Sequence, residues 1–261
     1  MVKKMVTSII IEGKISVDAV LHSKYRKVLT IFYDVAKLQR KKNKKREKFL
    51  KQTLEAANSK EVKIEAVDQK WFEDHAIGKT HGGIAAIVSE RTYQKIPELL
   101  KSIPGIFFFL DGIEDPYNLG YTIRSLYAAG VDGIVMRQRN WLDVDGIIIK
   151  SSAGTSELMP IAVVEDLDTA TNFFKSKNYT IACTGKDEGQ SIYQSNLKSP
   201  LFIVIGGEKR GINRNFLEKA DLRLTIPYER EFKGSLPLNS VAVIIGFEIL
   251  RQRSYSNNKV T

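Results

Sequence analysis

Three short segments of this chain of 261 residues carry polar groups that could orient a substrate. The first, residues 110–124, reads Leu-Asp-Gly-Ile-Glu-Asp-Pro-Tyr-Asn-Leu-Gly-Tyr-Thr-Ile-Arg, so Asn118 precedes Arg124 by one to two helical turns. The second, residues 205–211, reads Ile-Gly-Gly-Glu-Lys-Arg-Gly, and the third, residues 226–240, ends in Ser-Leu-Pro-Leu-Asn-Ser. An amide and a guanidinium can orient a polar substrate, and glycines let main-chain groups approach a ligand closely.

Apolar runs precede all three segments and predict the strands that position them. From Ile106 onward, apolar runs alternate with helical patterns, which predicts an α/β fold with a parallel sheet and helices on both faces. The predicted strands are Ile106–Leu110, Gly133–Met136, Ile161–Val164, Tyr179–Cys183, Leu201–Ile205 and Leu222–Ile226. Apolar residues recur at helical spacing from Val241, so the last helix should bury one face.

The residues before this region predict a smaller, separate α/β unit. Strands are expected at Val28–Phe32, at Val62–Val67 and after Gly82, with a long charged helix between the first two. A polar, basic connector follows. We therefore divide the chain into an N-terminal domain at residues 1–95, a linker at 96–105 and a C-terminal domain at 106–261.

The charge of the chain favours a polyanionic partner. Lys and Arg number 40 against 30 Asp and Glu, which gives a net charge of +10 and a pI near 9.5. Basic side chains that neutralise phosphates release counterions, so nucleic acid fits such a chain. The densest basic cluster runs from Lys37 to Lys51, with Glu47 as its sole acid. The cluster is either a solvated helix face or a contact for a polyanion.

Composition argues against several other classes of protein. Cys183 is the only cysteine, which excludes an intrachain disulfide and a cysteine-rich metal site and favours a buried structural thiol. The longest apolar run, Val241–Leu250, contains Glu248 and is too short to span a bilayer. No secretory signal is recognised, so the cytoplasm is the expected location. The glycine-rich segment lacks the Gly-x-x-x-x-Gly-Lys-Ser/Thr pattern of a phosphate loop.

In their order along the chain, the three segments resemble the motifs of the SpoU (TrmH) family of RNA ribose 2′-O-methyltransferases, within the SPOUT superfamily. Asp-Pro-x-Asn-x-Gly-x-x-x-Arg at residues 115–124 carries most of the resemblance. Residues 12–21 and 80–86 are similar to the substrate-binding domain that precedes many SpoU catalytic domains. The resemblance implies a C-terminal domain with a deep trefoil knot, S-adenosylmethionine as methyl donor, no metal, and a homodimer. The implied substrate is structured RNA, with ribosomal RNA favoured over transfer RNA because of the added domain.

The resemblance also assigns roles to individual residues. The implied catalytic residues are Asn118, Arg124, Glu208, Ser235 and Asn239. The residues implied to hold the methyl donor are Thr184, Gly185, Ile205, Gly206, Gly207, Glu208, Gly211, Ile226, Pro227, Leu236 and Leu238. For RNA binding we select five residues of the basic cluster, namely Lys41, Lys42, Lys44, Lys45 and Arg46. His81 is interpreted as structural or RNA-contacting rather than as a catalytic base.

Physical chemistry restricts the role of Arg124. A guanidinium with a pKa above about 12 is a poor proton acceptor, so we expect Arg124 to bind phosphate and polarise the 2′-hydroxyl. Glu208 would position Arg124 or Asn118 through a charge-assisted hydrogen bond. A second role open to Asn118 is to cap its helix.

The third segment departs from the family pattern Ser-Leu-Asn-Val-Ser, because Pro237 stands where alignment from Ser235 expects Asn. Proline suits the first turn of a helix, so we expect Pro237 to open the last helix. Asn239 would then direct its amide toward the donor and Asn118. One alternative is a protein that has kept the fold and lost catalysis, and serves as an RNA-binding or ribosome-assembly protein. Another is a base methyltransferase of the same superfamily, which would need a different proton acceptor.

Overall fold

The computed structural model describes residues 9–38, 44–76, 81–100, 105–185, 189–207 and 211–255. Contacts between residues divide the chain into two compact units. The first unit comprises residues 1–92 and 140–158, and the second comprises residues 93–139 and 159–261. The sequence gives no indication that residues 140–158 leave the second unit. The domain boundaries at residues 95 and 106 stay a prediction.

A four-stranded sheet forms the larger part of the first unit. Its elements are β1 (Ile9–Glu12), α1 (Lys14–His22), β2 (Val28–Asp34), α2 (Val35–Leu38), α3 (Lys44–Ser59), β3 (Lys63–Val67), α4 (Gln69–His75) and β4 (Ile84–Val88). The strand order is β1-β4-β2-β3, with β4 antiparallel to both neighbours and β2 parallel to β3. The three strands and the charged helix predicted here are confirmed as β2, β3, β4 and α3, whereas β1 was not predicted.

A seven-stranded parallel sheet forms the second unit. Its elements before residue 140 are α5 (Ile96–Leu99), β5 (Ile106–Leu110), α6 (Pro116–Ala128) and β6 (Gly133–Arg137). Helix α7 (Asp145–Ser151) comes next in the chain but belongs to the first unit. The remaining elements are β7 (Ile161–Val164), α8 (Leu167–Ser176), β8 (Thr180–Thr184), β9 (Gln190–Ser191), β10 (Leu201–Ile205), α9 (Arg214–Lys219), β11 (Leu222–Thr225) and α10 (Leu238–Tyr255).

The strand order of this sheet is β7-β6-β5-β10-β8-β11-β9, and every neighbouring pair is parallel. All six predicted strands are present, and within the described ranges the two-residue β9 is the one additional strand. The α/β prediction is therefore confirmed. All five residues of β5 and of β10 are buried, as expected for central strands covered on both faces. Phe174 of α8 stacks on Phe202 of β10 with ring centroids 4.3 Å apart, which joins the helix layer to the sheet.

Buried ion pairs hold residues 140–158 within the first unit. Arg26 Nη1 lies 2.8 Å from Asp145 Oδ2, and Arg26 Nε lies 2.9 Å from Glu157 Oε2. Arg91 approaches the other carboxylate oxygen of Glu157 at 3.6 Å. The side chains of Arg26 and Glu157 are both 0% exposed. Ile149 of α7 also joins the apolar core of this unit, so both charge and apolar packing retain the segment.

We expect Glu157→Ala to lower the free energy of unfolding by about 3–5 kcal/mol, because it leaves Arg26 with one fewer partner in a buried site. Urea unfolding measures this loss. The matched control is Lys63→Ala, which breaks an ion pair whose side chains are 69% and 40% exposed and should cost less than about 1 kcal/mol. Equal losses in the two variants would mean that the buried pairs contribute no more than a surface pair.

Candidate active site

A cavity of about 540 Å³ opens at the carboxyl ends of β8, β10 and β11, the edge at which open parallel sheets bind ligands. Its volume falls in the range of pockets for small ligands and cofactors. The predicted donor-binding residues that line it are Thr184, Gly185, Ile205, Gly206, Gly207, Gly211, Ile226, Pro227, Leu236 and Leu238. Ser235, predicted as catalytic, lines the same cavity. Glu208 lies outside the described residues.

Several lining residues were missed in the sequence. They are Gly189, Ile212, Leu224, Thr225, Tyr228, Phe232 and Val241. Two of them are aromatic: Tyr228 and Phe232 hold their ring centroids 5.8 Å apart, and the Tyr228 hydroxyl accepts the Leu236 N–H at 3.1 Å. Tyr228 directly follows Ile226-Pro227, so its position next to a motif was the available signal.

The first and second motifs meet through a close approach of main chains. A Cβ added to Gly207 would lie 2.8 Å from the Asp111 carbonyl oxygen and 3.1 Å from Gly112 Cα, closer than a side chain allows. The Asp111 N–H donates to the Ile205 carbonyl at 3.0 Å. The Gly211 N–H donates to the Gly207 carbonyl at 3.1 Å and so brings the two ends of the loop together. Gly207 therefore allows the two motifs to pack together and also lines the cavity.

Helix α6 begins with a side-chain cap followed by a proline. Asp115 is the capping residue, and its carboxylate accepts the Asn118 N–H at 2.7 Å. Pro116 occupies the first turn, where its missing N–H costs nothing. The alternative of Asn118 as the cap is therefore wrong, because Asp115 already satisfies that position.

The first and third motifs meet through two asparagine side chains. Asn239 Nδ2 donates to Asn118 Oδ1 at 3.3 Å, and Asn239 Oδ1 accepts the Ser240 N–H at 2.7 Å. Asn239 lies in the first turn of α10, as predicted. Pro237 stands just before the helix, and its carbonyl accepts the Val241 N–H at 3.1 Å. Pro237 thus opens α10 from the position before the first helical residue.

Helices α6 and α10 pack closely enough to bring these amides together. A Cβ on Gly246 would lie 3.1 Å from Leu126 Cδ2 and 3.4 Å from Ala129 Cβ, so glycine allows a close approach of the two helices here. Toward the other end of α10, buried Gln252 accepts the Leu197 N–H at 2.9 Å and donates to the Ser195 carbonyl at 3.0 Å. These contacts hold the register of α10 and hence the position of Asn239.

The remaining predicted residues are Arg124 and the five basic residues selected for RNA binding. Arg124 lies on α6 and is exposed; within the described ranges its guanidinium forms no hydrogen bond. Lys44, Lys45 and Arg46 are in α3, but their side chains are outside the described part of the structure, as are Lys41 and Lys42 altogether. The structure therefore joins Asn118 and Asn239 by a hydrogen bond, places Ser235 in the cavity lining and leaves Arg124 at the surface of α6.

Two other side chains of reactive types are buried. Cys183 is buried, and desolvation raises the pKa of its thiol to about 11, so it is protonated and unreactive near neutral pH. His81 is buried, stacks on Phe72 at 4.4 Å and accepts the Gly83 N–H through Nδ1 at 3.1 Å. Among the described side chains, no group of three or more His, Cys, Asp or Glu could hold a metal ion. No helix within the described ranges is long and apolar enough to cross a membrane.

We expect Asn239→Ala to lower the rate of the methyl transfer that the motifs imply by about a hundredfold, the effect of removing one oriented donor. The hydrogen bond to Asn118 is half-buried, so its loss should cost only about 1 kcal/mol of stability. Transfer rate and thermal melting are measured on the same preparation. The control is Asn172→Ala, an exposed position on α8 that should change neither quantity. Earlier melting with normal transfer would make Asn239 a structural residue.

Solved structures share this architecture. The AdoMet-bound rRNA methyltransferase from Sinorhizobium meliloti matches with a TM-score of 0.75 at 20% identity, covering 94% of this chain and 87% of that one. The SpoU methyltransferase AviRb from Streptomyces viridochromogenes, in complex with AdoMet, also gives a TM-score of 0.75, at 18% identity and with 95% and 91% coverage. At such identities the likeness establishes the fold.

Sequence relatives establish the family. The 23S rRNA (guanosine-2′-O-)-methyltransferase RlmB of Yersinia pestis is 33% identical over 207 residues, which are 77% of this chain and 81% of that protein. RlmB of Escherichia coli K12 is 31% identical over 208 residues, with coverages of 77% and 84%. The profile of the SpoU rRNA Methylase family matches residues 105–247, and that of the RNA 2′-O ribose methyltransferase substrate-binding domain matches residues 10–94. The chain therefore belongs to the SpoU rRNA methylase family and carries that family's substrate-binding domain ahead of the methylase domain.

Proposed function

We propose that this protein transfers a methyl group from S-adenosylmethionine to a ribose 2′-hydroxyl of ribosomal RNA. The observation that carries the proposal is a cavity lined by the second and third motifs, which the first motif meets through the Gly207 contact and the Asn239–Asn118 hydrogen bond. The two RlmB relatives are named for the same chemistry on 23S rRNA. An RNA substrate of this kind also favours the cytoplasm as the site of action.

The cavity suits the methyl donor. Its lining combines glycine main chain with aliphatic side chains, which can meet a flat adenine edge and a ribose without a steric barrier. We assign donor binding to the ten predicted lining residues and to Glu208. When bound, the donor supplies an activated methyl group. The protein must then orient the acceptor oxygen and keep the reacting groups aligned, which by itself supplies a large part of a rate enhancement.

Asn118 and Asn239 are assigned to orienting the acceptor ribose. Each amide has both donor and acceptor groups, so the pair joined by this hydrogen bond presents the kinds of polar group that a ribose hydroxyl can meet. Arg124 is assigned to binding an RNA phosphate and polarising the 2′-hydroxyl, with its proton passing to phosphate or water. Glu208 would orient Arg124 or Asn118, and Ser235 would contact the substrate at the cavity edge. The contact between Asn118 and Asn239 favours this active enzyme over a protein that has lost catalysis.

The strand order supports a knotted C-terminal domain. Strand β10 inserts between β5 and β8, although both precede it in the chain, and β11 inserts between β8 and β9. Ordinary α/β connections do not thread through one another. We propose that the connections around β10 and β11 form the trefoil knot of SPOUT domains, with the cavity bounded by the knotted loops.

Exposed aromatic residues support a homodimer formed through α6 and α10. Tyr117 and Tyr121 are 52% and 48% exposed on α6, where they share a helical stripe with Arg124. Tyr127 on α6 and Phe247 on α10 are also more than 40% exposed. Large aromatic side chains are enriched at protein interfaces. A second copy bound at this stripe would bring Arg124 next to the subunit boundary.

The first unit is assigned to RNA binding. Its family profile describes a substrate-binding domain, and the basic cluster at residues 41–46 would supply sequence-independent attraction to phosphates.

The proposed chemistry is tested with RNA from cells that lack the gene. The purified protein should transfer labelled methyl from S-adenosylmethionine to this RNA, and mapping should locate the label on a ribose. Arg124→Lys keeps the charge but loses the bidentate fork, so the rate should fall about a hundredfold or more while donor affinity is unchanged. Near-full rates in Arg124→Lys would show that a simple positive charge is sufficient. Donor binding without transfer to any RNA would favour the RNA-binding alternative.

The homodimer is tested by sedimentation. Tyr121→Glu would bury an unpaired charge at the proposed interface, so the dimer dissociation constant should rise at least about a hundredfold. The matched control is Tyr193→Glu, which should leave the dimer intact. Tyr193 is 56% exposed and lies outside α6 and α10. A monomeric wild type, or equal behaviour of the two variants, would contradict the proposed interface.

A further inference from the structure

Two aromatic rings form the rim of the cavity. Phe232 is 52% exposed and Tyr228 is 40% exposed, whereas Ile205, Leu224 and Leu238 in the same lining are at most 3% exposed. The cavity therefore has an enclosed aliphatic interior and an aromatic, solvent-facing mouth. A donor held in the interior leaves this mouth for the second substrate.

The rim is held in place by contacts within its own loop. The Tyr228 hydroxyl accepts the Leu236 N–H at 3.1 Å and so closes the loop from residue 228 to residue 236. The Phe232 ring covers Gly234, where an added Cβ would lie 2.6 Å from the ring. The loop thus holds both rings before any ligand arrives. Binding to a preorganised surface costs less conformational entropy than binding to a mobile one.

The charges on this loop balance one another. Residues 228–236 contain Glu229 and Glu231 against Arg230 and Lys233. The loop therefore adds little to the general attraction of RNA, and its exposed rings are the feature that a ligand would recognise. Proteins bind unpaired RNA bases by stacking them on aromatic side chains.

We propose that the Phe232 ring, supported by Tyr228, stacks on an unpaired nucleobase of the substrate RNA and so presents the neighbouring ribose to the cavity. The inference rests on the proposed function, because it identifies how the acceptor is held at that site. Enzymes that modify nucleic acids commonly take the target nucleotide out of its stack before reaction, which requires a surface to receive the base. Phe232 is then a positioning residue for the acceptor and has no part in holding the donor.

The test compares Phe232→Ala, Phe232→Trp and the control Tyr193→Ala, which removes another exposed aromatic ring outside the cavity lining. The probe is RNA from cells that lack the gene, and its dissociation constant is measured by filter binding at several salt concentrations. Base stacking on one ring contributes enough that Phe232→Ala should raise this constant at least about fivefold. The slope against salt should not change, because no phosphate contact is lost. Phe232→Trp should bind RNA within about twofold of the wild type, since a larger ring still stacks.

Donor binding is measured on the same variants by calorimetry with S-adenosylmethionine. The expected donor affinity of Phe232→Ala equals that of the wild type. A weakened donor affinity would overturn the proposal by making Phe232 part of the donor site. The proposal would also be overturned if Phe232→Ala bound the RNA as tightly as Tyr193→Ala does. Failure of methyl transfer in the wild type would count against the proposed chemistry alone, because the RNA-binding comparison does not depend on turnover.

Discussion

The contact of Gly207 with Asp111 and Gly112 is the constraint on which the site depends. Main chains meet there at a distance that excludes any Cβ, so the loops after β5 and β10 lie against each other. One loop leads into α6 and Asn118, and the other forms part of the cavity. A side chain at 207 would force the two loops apart. Because neighbouring parallel strands end at one edge, the sheet makes this meeting possible.

The third motif shows how packing restores a geometry that the sequence has displaced. Read in order, Pro237 occupies the position expected for an asparagine, and the site looks incomplete. In the folded chain, α10 begins at Leu238, directly after Pro237. The Asn239 side chain in its first turn donates a hydrogen bond to Asn118. The absence of a side chain at Gly246 allows α10 to pack closely on α6. The position of the Asn239 side chain is thus known from the fold, and its place in an alignment does not give it.

The first unit is stabilised in part by buried ion pairs. Its sheet is small, and the segment 140–158 is retained partly by guanidinium–carboxylate pairs that are almost fully removed from water. Burying such charges carries a desolvation cost that their attraction offsets only when the geometry is good. These pairs therefore contribute mainly to the choice of one arrangement over others, since either charge alone would be strongly unfavourable in that interior.

The sequence by itself determined the strands of the large sheet and most of the cavity lining. Short, continuous apolar runs such as Ile106–Leu110 are buried on both faces, and motifs placed just after them must meet at the carboxyl edge. Only the tertiary structure decided the rest. Asp115 instead of Asn118 caps α6, residues 140–158 join the first unit, and Tyr228 and Phe232 form the rim of the cavity. Each of these depends on contacts between residues far apart in the chain or on the competition of two side chains for one backbone group. Local patterns of hydrophobicity carry no information about such contacts.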